Sequence, residues 1–396
     1  MSSILLRGGS VLDVDTGATI RQDIGIRDGR VVAAADADDP TVVDAAGLTV
    51  MFGLWDCHAH PGGLMYDPGA HGYFEGAADW TVRAGANLLE AARMGITGVR
   101  AVAEADRIDL AWSRAFAAGS YPGPRLRCAG AGLRTTGGHG TAFPRRPVEV
   151  NWEWAVDGAD AMLRATRALI EQGVDWIKVM LTGGLYSEHE SVDDPQFTDA
   201  ELDAVLLAAN GRGIPVAAHC GSGRVAERFA RAGGRSIEHG YALDASAAAS
   251  MAEHGTWLVP TIGVTHDTAM MDADGWPLHA RERAKQAAGR HAAAFTACLA
   301  AGVRIATGAD LNPIGPRLHD ELRMMESAGM GRLALLKAAT TGGRALNGLG
   351  EHTRPEPGAA ADLILVHGDP LADLDVLRRP AGVFVFGRTV VDPARR

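Results

Sequence analysis

The sequence has 396 residues, 47% of them hydrophobic and 22% charged, which is the composition of an ordinary globular protein with ample core. The formal net charge of −10 argues against nucleic acid or an anionic membrane as a partner, and no apolar run approaches the length of a membrane span. The opening residues, MSSILLRGGSVLD, lack the basic and then apolar pattern of a secretory signal. Four widely spaced cysteines, Cys57, Cys128, Cys220 and Cys298, favour a reducing cytoplasm over a disulfide framework.

Short strands are predicted at both ends of the chain. Residues 1–50 contain three alternating stretches, ILLRGGSVLDV, QDIGIRDGRVVAA and PTVVDAAGLTV, and Asp28-Gly29 marks a hairpin turn. The C-terminal segment contains two more strands, ADLILVHG and GVFVFGRTVV. Because short strands are stable only when they pair, we expect both ends to form one small β-sandwich domain. Its predicted segments are 1–52 and 346–396, and residues 53–345 form the larger domain.

The middle of the chain alternates short apolar runs with alanine-rich helical stretches. In chain order, the runs are LWDCHAH, TGVRAVA, PRLRCAG, VDWIKVM, IPVAAH, RSIEH, TWLVPT and VRIATGAD. Eight runs with intervening helices predict an α/β fold of the (β/α)8 type, a TIM barrel. A doubly wound open sheet is the structural alternative.

Five of the eight runs carry residues of the kind that bind metal ions. These residues are His58, His60, Lys178, His219, His239 and Asp310. Side chains at i and i+2 of a strand point to the same face, so the first two histidines would converge on one point. In a barrel, the C-terminal ends of the strands meet at one face, where catalytic residues lie. The pattern therefore predicts a metal site, against the alternatives of solvated loop histidines and an outward-pointing lysine.

The motifs at these positions resemble those of a known family. They are the His-Ala-His of residues 58–60, a lysine before Thr-Gly-Gly, VAAHCGSG, SIEHG, and a final Gly-Ala-Asp, followed by KAATTGGRALNGLG and GAAADLILVHGDPL. As a set, covering nearly the whole chain, they resemble the amidohydrolase superfamily. More narrowly they resemble its imidazolonepropionase-like and Xaa-Pro dipeptidase (prolidase)-like branch, near ochratoxinase. Two departures from the family pattern are Phe52 in place of proline and Ala309 in place of threonine, and neither removes a ligand.

The resemblance implies a site for two divalent metal ions, with Zn²⁺ as the expected metal. His58, His60 and Asp310 would hold one ion, and His219 and His239 the other. Lys178 would bridge both ions as a carbamate formed with carbon dioxide. A charged lysine facing two divalent ions is electrostatically unfavourable, so this lysine must be neutral or chemically changed. A carbamate supplies a carboxylate that two cations share.

The expected activity is metal-dependent hydrolysis of a carbon–nitrogen bond in a small-molecule amide, as in a dipeptidase or carboxypeptidase. Two ions would share a bridging hydroxide, and Asp310 would accept its proton and pass it to the leaving nitrogen. One alternative is an imidazolonepropionase-like cyclic amide hydrolase, or a deaminase, that uses one metal ion. Another alternative is a catalytically idle barrel that serves as a binding module. We also expect a homo-oligomer.

The loops are expected to contribute the substrate contacts. His139 lies in the glycine-rich TTGGHGTAF segment, where it either touches the substrate or packs the loop. Arg145 and Arg146 either receive a substrate carboxylate or form a solvated loop pair. Aromatic residues that could wall a pocket are Tyr66, Tyr73, Phe74, Trp152, Trp154 and Trp276. No site role is predicted for His71, His189, His254, His266, His279, His291, His319, His352 and His367.

Overall fold

The computed structural model describes residues 3–63, 75–141 and 153–393, and it shows an α/β chain. The strands are β1 (Ile4–Arg7), β2 (Ser10–Leu12), β3 (Thr19–Arg21), β4 (Ile24–Arg27), β5 (Arg30–Val32), β6 (Thr41–Asp44), β7 (Leu48–Phe52), β8 (Leu54–Ala59), β9 (Ile96–Ala101), β10 (Arg125–Cys128), β11 (Gly132–Arg134), β12 (Glu153–Ala155), β13 (Ile177–Met180), β14 (Val216–Ser222), β15 (Ser236–Ala242), β16 (Trp257–Val259), β17 (Leu363–His367), β18 (Gly382–Val385) and β19 (Arg388–Val391).

Most helices lie between the parallel strands in the middle of the chain. They are α1 (Ala77–Arg93), α2 (Ile108–Ala118), α3 (Ala159–Glu171), α4 (Asp199–Asn210), α5 (Gly223–Arg231), α6 (Ala245–His254), α7 (Gly263–His266), α8 (Thr268–Ala273), α9 (Leu278–Ala300), α10 (Ile314–Ser327), α11 (Arg332–Lys337) and α12 (Gly343–Leu346). Some begin at recognisable caps. Thr198 and Glu201 form a capping box at the start of α4, and the Asp244 carboxylate accepts the Ala247 N–H at the start of α6.

Strands from the two chain ends share one sheet. Its order is β19-β18-β17-β7-β2-β3, and β17 pairs antiparallel with β7, so that Leu363 lies opposite Phe52. A four-stranded sheet, β5-β4-β1-β6, packs its apolar side chains into the same buried cluster. The predicted hairpin joins β4 to β5, and Asp28 and Gly29 have φ of 51° and 75°, which a tight two-residue turn requires. The predicted pairing of the two ends is therefore observed, while the domain boundaries stay predictions.

The central strands form two parallel sheets, β10-β9-β8 and β12-β11-β13-β14-β15-β16. Hydrogen bonds connect their outer edges through the last apolar run. Leu258 of β16 bridges to Ile305, the Cys57 N–H donates to Thr307 O at 2.8 Å, and the Asp310 N–H donates to His58 O at 2.8 Å. This run thus lies between β16 and β8, and closure of the strands into a barrel stays a prediction.

Two details of the predicted strand pattern are wrong. The eighth run, VRIATGAD, is not a regular strand, because its single ladder partner is Leu258 and its end turns sharply at Asp310, whose φ is 59°. Two short strands, β11 and β12, follow β10 and were not predicted. Their three residues each are too few for alternation to be visible in the sequence. Within the described ranges, no helix has the length and apolar character needed to cross a membrane.

Deleting all residues after about position 355 is expected to give insoluble or unfolded protein. The deletion removes β17, β18 and β19 and leaves β7, whose five residues are all buried, with an unpaired edge. An exposed apolar edge strand promotes aggregation. Solubility and circular dichroism of the truncated chain are the measurements. A soluble, folded truncation would show that the two ends do not depend on each other.

Candidate metal centre

Three of the predicted ligands form a compact buried cluster. His58 lies near the end of β8, His60 directly follows that strand, and Asp310 lies at the end of the last apolar run. The Asp310 Oδ1 atom lies 3.2 Å from His60 Nε2 and 3.5 Å from His58 Nε2. In the part of the chain that the structure describes, this is the one group of three or more His, Cys, Asp or Glu side chains whose ligand atoms all lie within 4.8 Å of one another.

The other predicted ligands surround this cluster. The His239 ring centroid lies 4.7 Å from that of His58 and 4.5 Å from that of His219. The His239 Nδ1 atom is 3.9 Å from Asp310 Oδ2. Lys178 lies on β13 next to the strand of His219, and it is 1% exposed, so it does not point to solvent. Its burial lowers the pKa of Lys178 to about 8, which favours the neutral amine relative to an exposed lysine.

Each of the four histidine rings has one nitrogen held by an oxygen atom. The pairs are His58 Nδ1 with Glu238 Oε2 (2.8 Å), His60 Nδ1 with Ala103 O (2.9 Å), His219 Nε2 with Gly183 O (3.0 Å) and His239 Nδ1 with Thr261 Oγ1 (2.7 Å). A carbonyl or carboxylate oxygen only accepts hydrogen bonds, so in the first three rings the held nitrogen carries the proton. The opposite nitrogen is then left with a lone pair, as a metal ligand requires.

These tautomers show that the cluster fits a metal ion. The Nε2 lone pairs of His58 and His60 and the carboxylate oxygen of Asp310 point at one small volume. Three lone pairs at such distances repel one another unless a cation lies among them. Burial lowers the pKa of His58 to about 4, so a proton on that ring does not supply the charge near neutral pH. Two imidazoles and one carboxylate are a donor set that divalent zinc and similar ions accept.

The backbone around the cluster is strained at three positions. His239, Thr261 and Asp310 have φ of 68°, 48° and 59°, a left-handed region that residues other than glycine seldom adopt. Buried neighbours hold two of these turns. His291 Nε2 lies 3.0 Å from His239 O, and the Glu321 carboxylate accepts the N–H groups of Ile262 and Gly263 at 2.7 and 2.8 Å. His291, for which no site role was predicted, therefore supports the turn of His239 from α9.

A buried ion pair lies beneath the cluster. The Arg100 guanidinium donates to both carboxylate oxygens of Glu238, at 2.8 and 2.9 Å, and both side chains are fully buried. Burial alone would raise the pKa of Glu238, but Arg100 and the hydrogen bond from His58 bring it down to about 2. Glu238 is thus a charged acceptor that orients the His58 ring.

The supporting carboxylates were missed in the sequence. Strand alternation alone would point Glu238 away from the site, because it adjoins His239, but the left-handed turn at His239 breaks the alternation there. Asp56 also faces inward, and its Oδ1 accepts the His58 N–H at 3.0 Å and the Ala309 N–H at 3.2 Å. Its position two residues before His58 was a usable signal. Burial raises the pKa of Asp56 to about 7.

The cysteines next to the histidines take no part in the cluster. Cys57 Sγ accepts from Asn347 of the segment after α12, at 3.6 Å, and Cys220 Sγ contacts Ser222 O at 3.4 Å. Burial raises the pKa of both thiols to about 12, so they are neutral. All four cysteines are buried and none is in a disulfide.

His139 lies in the site, where the sequence left its role open. Its ring stacks on the His219 ring at 4.0 Å between centroids, with 21° between the ring planes. The Nδ1 atom of His139 lies 2.7 Å from Glu190 Oε1. Burial lowers and the Glu190 carboxylate raises the pKa of His139, and the balance lies above the ordinary value.

An aromatic cavity opens beside these rings. Its lining consists of His139, Leu185, Tyr186, His219, Tyr241, Val264, Trp276 and Asp310. Of the predicted aromatic walls, Trp276 is in this lining and Trp154 is not. The other predicted loop residues lie outside the described residues, and they are Tyr66, Tyr73, Phe74, Trp152, Arg145 and Arg146.

Comparisons with known proteins identify the family to which the sequence and the fold are similar. Residues 49–390 match the sequence model described as the amidohydrolase family. Ochratoxinase of Aspergillus niger is 30% identical over 358 residues, which are 84% of this chain and 73% of that protein. The crystal structure of a prolidase complexed with N-methylphosphonate-L-proline is similar with a TM-score of 0.88 and 28% identity, covering 99% of this chain and 100% of that one. A Xaa-Pro dipeptidase with bound methionine gives 0.86 and 28%, covering 98% and 99% of the two chains.

Proposed function

Because the chain belongs to the amidohydrolase family and is a hydrolase of carbon–nitrogen bonds, we propose that its substrates are small-molecule amides. We further propose that it cleaves them in a site for two metal ions. The observation that carries the proposal is the convergence of His58, His60 and Asp310 with their ligand tautomers already set. His219 and His239 stand beside this group, at distances that suit a second ion's ligands.

We assign the ligands as follows. One ion would be held by His58, His60 and Asp310, and the second by His219 and His239. Lys178 would serve both ions as a carbamate, which its burial and lowered pKa support, because the neutral amine is the form that adds carbon dioxide. We propose Zn²⁺ as the metal because the donors are imidazoles and carboxylates. When bound, two such ions would activate a water molecule near neutral pH and polarise the scissile carbonyl.

The chain's own residues then position the substrate and move the proton. Asp310 accepts a proton at Oδ2 and returns it to the leaving nitrogen. The Nε2 atom of His139 hydrogen-bonds the substrate, and the aromatic cavity that His139 and Asp310 line lies beside the bound substrate. The parallel strands are proposed to close as a (β/α)8 barrel, which the bonds from Cys57 and Asp310 across the last run support.

The substrate class follows from the relatives' names. An ochratoxinase, a prolidase and a Xaa-Pro dipeptidase lie among the similar proteins, so we propose dipeptides, N-acyl amino acids or an amide-linked natural product as substrates. A cytoplasmic homo-oligomer remains the proposed state of the protein.

A second candidate is a one-metal cyclic amide hydrolase or deaminase. It is favoured by the observation that, of the described residues, only His58, His60 and Asp310 form a compact three-ligand group. The buried lysine beside the group argues for the two-metal form, because a single ion needs no bridging ligand.

Metal analysis and a substrate panel test the proposal together. We expect about two divalent ions per purified chain, from the two ligand sets assigned above. We also expect turnover of at least one amide in a panel of dipeptides, N-acyl amino acids, lactams and esters. One ion with activity on lactams or aminated rings would favour the second candidate. A metal-free protein without turnover would indicate the binding module.

A further inference from the structure

The loop that follows β13 holds His139 in place, although His139 comes from a different loop. Residues 181–198 connect β13 to α4 and contain Glu190 and Gln196, which both contact His139. We infer that Glu190 is a positioning residue, which fixes the His139 ring with its Nε2 atom available to the substrate. This inference rests on the proposed function, since it gives Glu190 a role in the same reaction.

The contact with Glu190 determines the tautomer of His139. Glu190 Oε1 lies 2.7 Å from Nδ1, and the two side chains are 6% and 14% exposed. A carboxylate oxygen accepts, so Nδ1 carries the proton. The hydrogen-bonding atom that remains for another molecule is therefore Nε2. Without the carboxylate, the ring could turn over or protonate at the other nitrogen.

Gln196 gives the same histidine a second attachment. Its side-chain oxygen accepts the His139 backbone N–H at 2.8 Å, and its amide nitrogen donates to Glu190 Oε2 at 3.1 Å. The Gln196 N–H in turn donates to Leu181 O at 2.9 Å, next to the end of β13. The ring and the main chain of His139 are therefore tied to one anchored network.

The ring fits closely between this network and the site. A Cβ atom at Gly184 would lie 2.2 Å from His139 Cε1, so the ring packs directly on the glycine backbone. On its other side the ring stacks on His219, and it lines the same cavity as Asp310 and Tyr241. A small rotation of the ring would therefore clash or break the contact with Glu190. Close packing of this kind is what holds a reacting group to a fraction of an ångström.

Other charged side chains near His139 do not replace Glu190. Glu153 of β12 is a buried carboxylate near the ring, but Arg134 Nε lies 3.1 Å from its Oε2. Lys178 is the nearby cation, on the strand that precedes the loop. Of the described carboxylates, Glu190 alone has a hydrogen bond with the His139 ring.

The test compares two substitutions of Glu190 with a control in the same loop. Glu190→Ala is expected to lower kcat for an amide substrate by about 10–100-fold with little change in metal content, because one hydrogen-bonding group of the site is no longer oriented. Glu190→Gln should recover part of this loss, because its amide oxygen still accepts from Nδ1. The control is Asp193→Ala, whose exposed carboxylate contacts Arg290, and it should leave kcat within about 2-fold.

A double-mutant cycle separates positioning from a general structural effect. In a His139→Asn background, Glu190→Ala should cause no further loss, because the ring through which Glu190 acts is gone. Equal losses in the wild-type and His139→Asn backgrounds, or loss of metal in Glu190→Ala, would overturn the inference. An unchanged rate in His139→Asn would overturn it as well, while leaving the hydrolase function intact.

A spectroscopic measurement makes the inference independent of turnover. The ¹⁵N signals of labelled histidine, assigned to His139 by their loss in His139→Asn, report which ring nitrogen is protonated. We expect protonated Nδ1 in the wild type and in Asp193→Ala, and a shift toward the other tautomer in Glu190→Ala. An identical spectrum in Glu190→Ala would overturn the inference. Failure of the wild type to turn over any amide would overturn only the proposed function.

Discussion

Lys178→Ala is expected to give folded protein that has lost bound metal and amide turnover together. The lysine is 1% exposed and lies on β13, with Glu238 and Asp310 among the charges that act on it. If a carbamate on Lys178 bridges two ions, the alanine variant lacks the shared carboxylate that holds them near each other. We expect turnover to fall by more than about 100-fold, since the loss of an outer-shell partner alone costs about 10–100-fold.

Chemical rescue separates the carbamate from the lysine stem. A short carboxylic acid added to Lys178→Ala should restore part of both the metal content and the turnover, because it supplies a bridging carboxylate in the space that the side chain left. Lys285→Ala, at an exposed position in α9, is the matched control and should behave as the wild type. Wild-type metal content and turnover in Lys178→Ala would contradict the two-metal site.

The positions of the strand-end residues could be predicted because they follow a short-range rule. His58 and His60 are two positions apart in one apolar run, so the strand rule points their side chains to the same face. Each of the other predicted ligands ends or lies within an apolar run of its own. Parallel strands bring such residues to one edge without any knowledge of loops. The gathering of His239 and Asp310 around His58 in the structure is a consequence of this register.

The supporting residues could not be predicted because their contacts span long distances along the chain. Arg100 meets Glu238 138 positions later, and Glu190 meets His139 51 positions earlier. No periodic pattern links such pairs, and alternation fails where His239 turns into the left-handed region. Arg100 did carry one signal, since a charge inside the apolar run TGVRAVA must find a buried partner.

Main-chain hydrogen bonds explain why Ala309 is tolerated beside Asp310. The family pattern at this position is Gly-Thr-Asp, so alanine at residue 309 lacks the hydroxyl of the family's threonine. In the structure, the Ala309 N–H donates to Asp56 and the Asp310 N–H donates to His58 O. The turn is therefore held by main-chain donors, which are independent of the side chain at residue 309.

Asp310→Asn is expected to keep the fold and much of the metal while turnover falls by about 10²–10⁴-fold, the usual contribution of a positioned acid or base. Asparagine has nearly the same shape and keeps one coordinating oxygen, but it cannot hold a proton. The carboxylate of Asp310 faces the Nε2 atoms of His58 and His60 through Oδ1, and Oδ2 is its other oxygen. The Asp310 side chain is thus proposed both to bind metal and to transfer a proton. Asparagine can still bind the metal, but it cannot transfer the proton.

Metal content, thermal unfolding and turnover should be measured on one preparation of Asp310→Asn. Asp274→Asn is a suitable control, because this partly exposed carboxylate lies 3.9 Å from Arg317 and belongs to no candidate ligand set. It should keep wild-type turnover and metal. If Asp310→Asn retains both its metal and near-wild-type turnover, the proton is carried by another group. Of the three buried acids Asp56, Glu238 and Asp310, Asp310 alone lines the cavity beside His139, so we propose it as the carboxylate that exchanges a proton with a substrate.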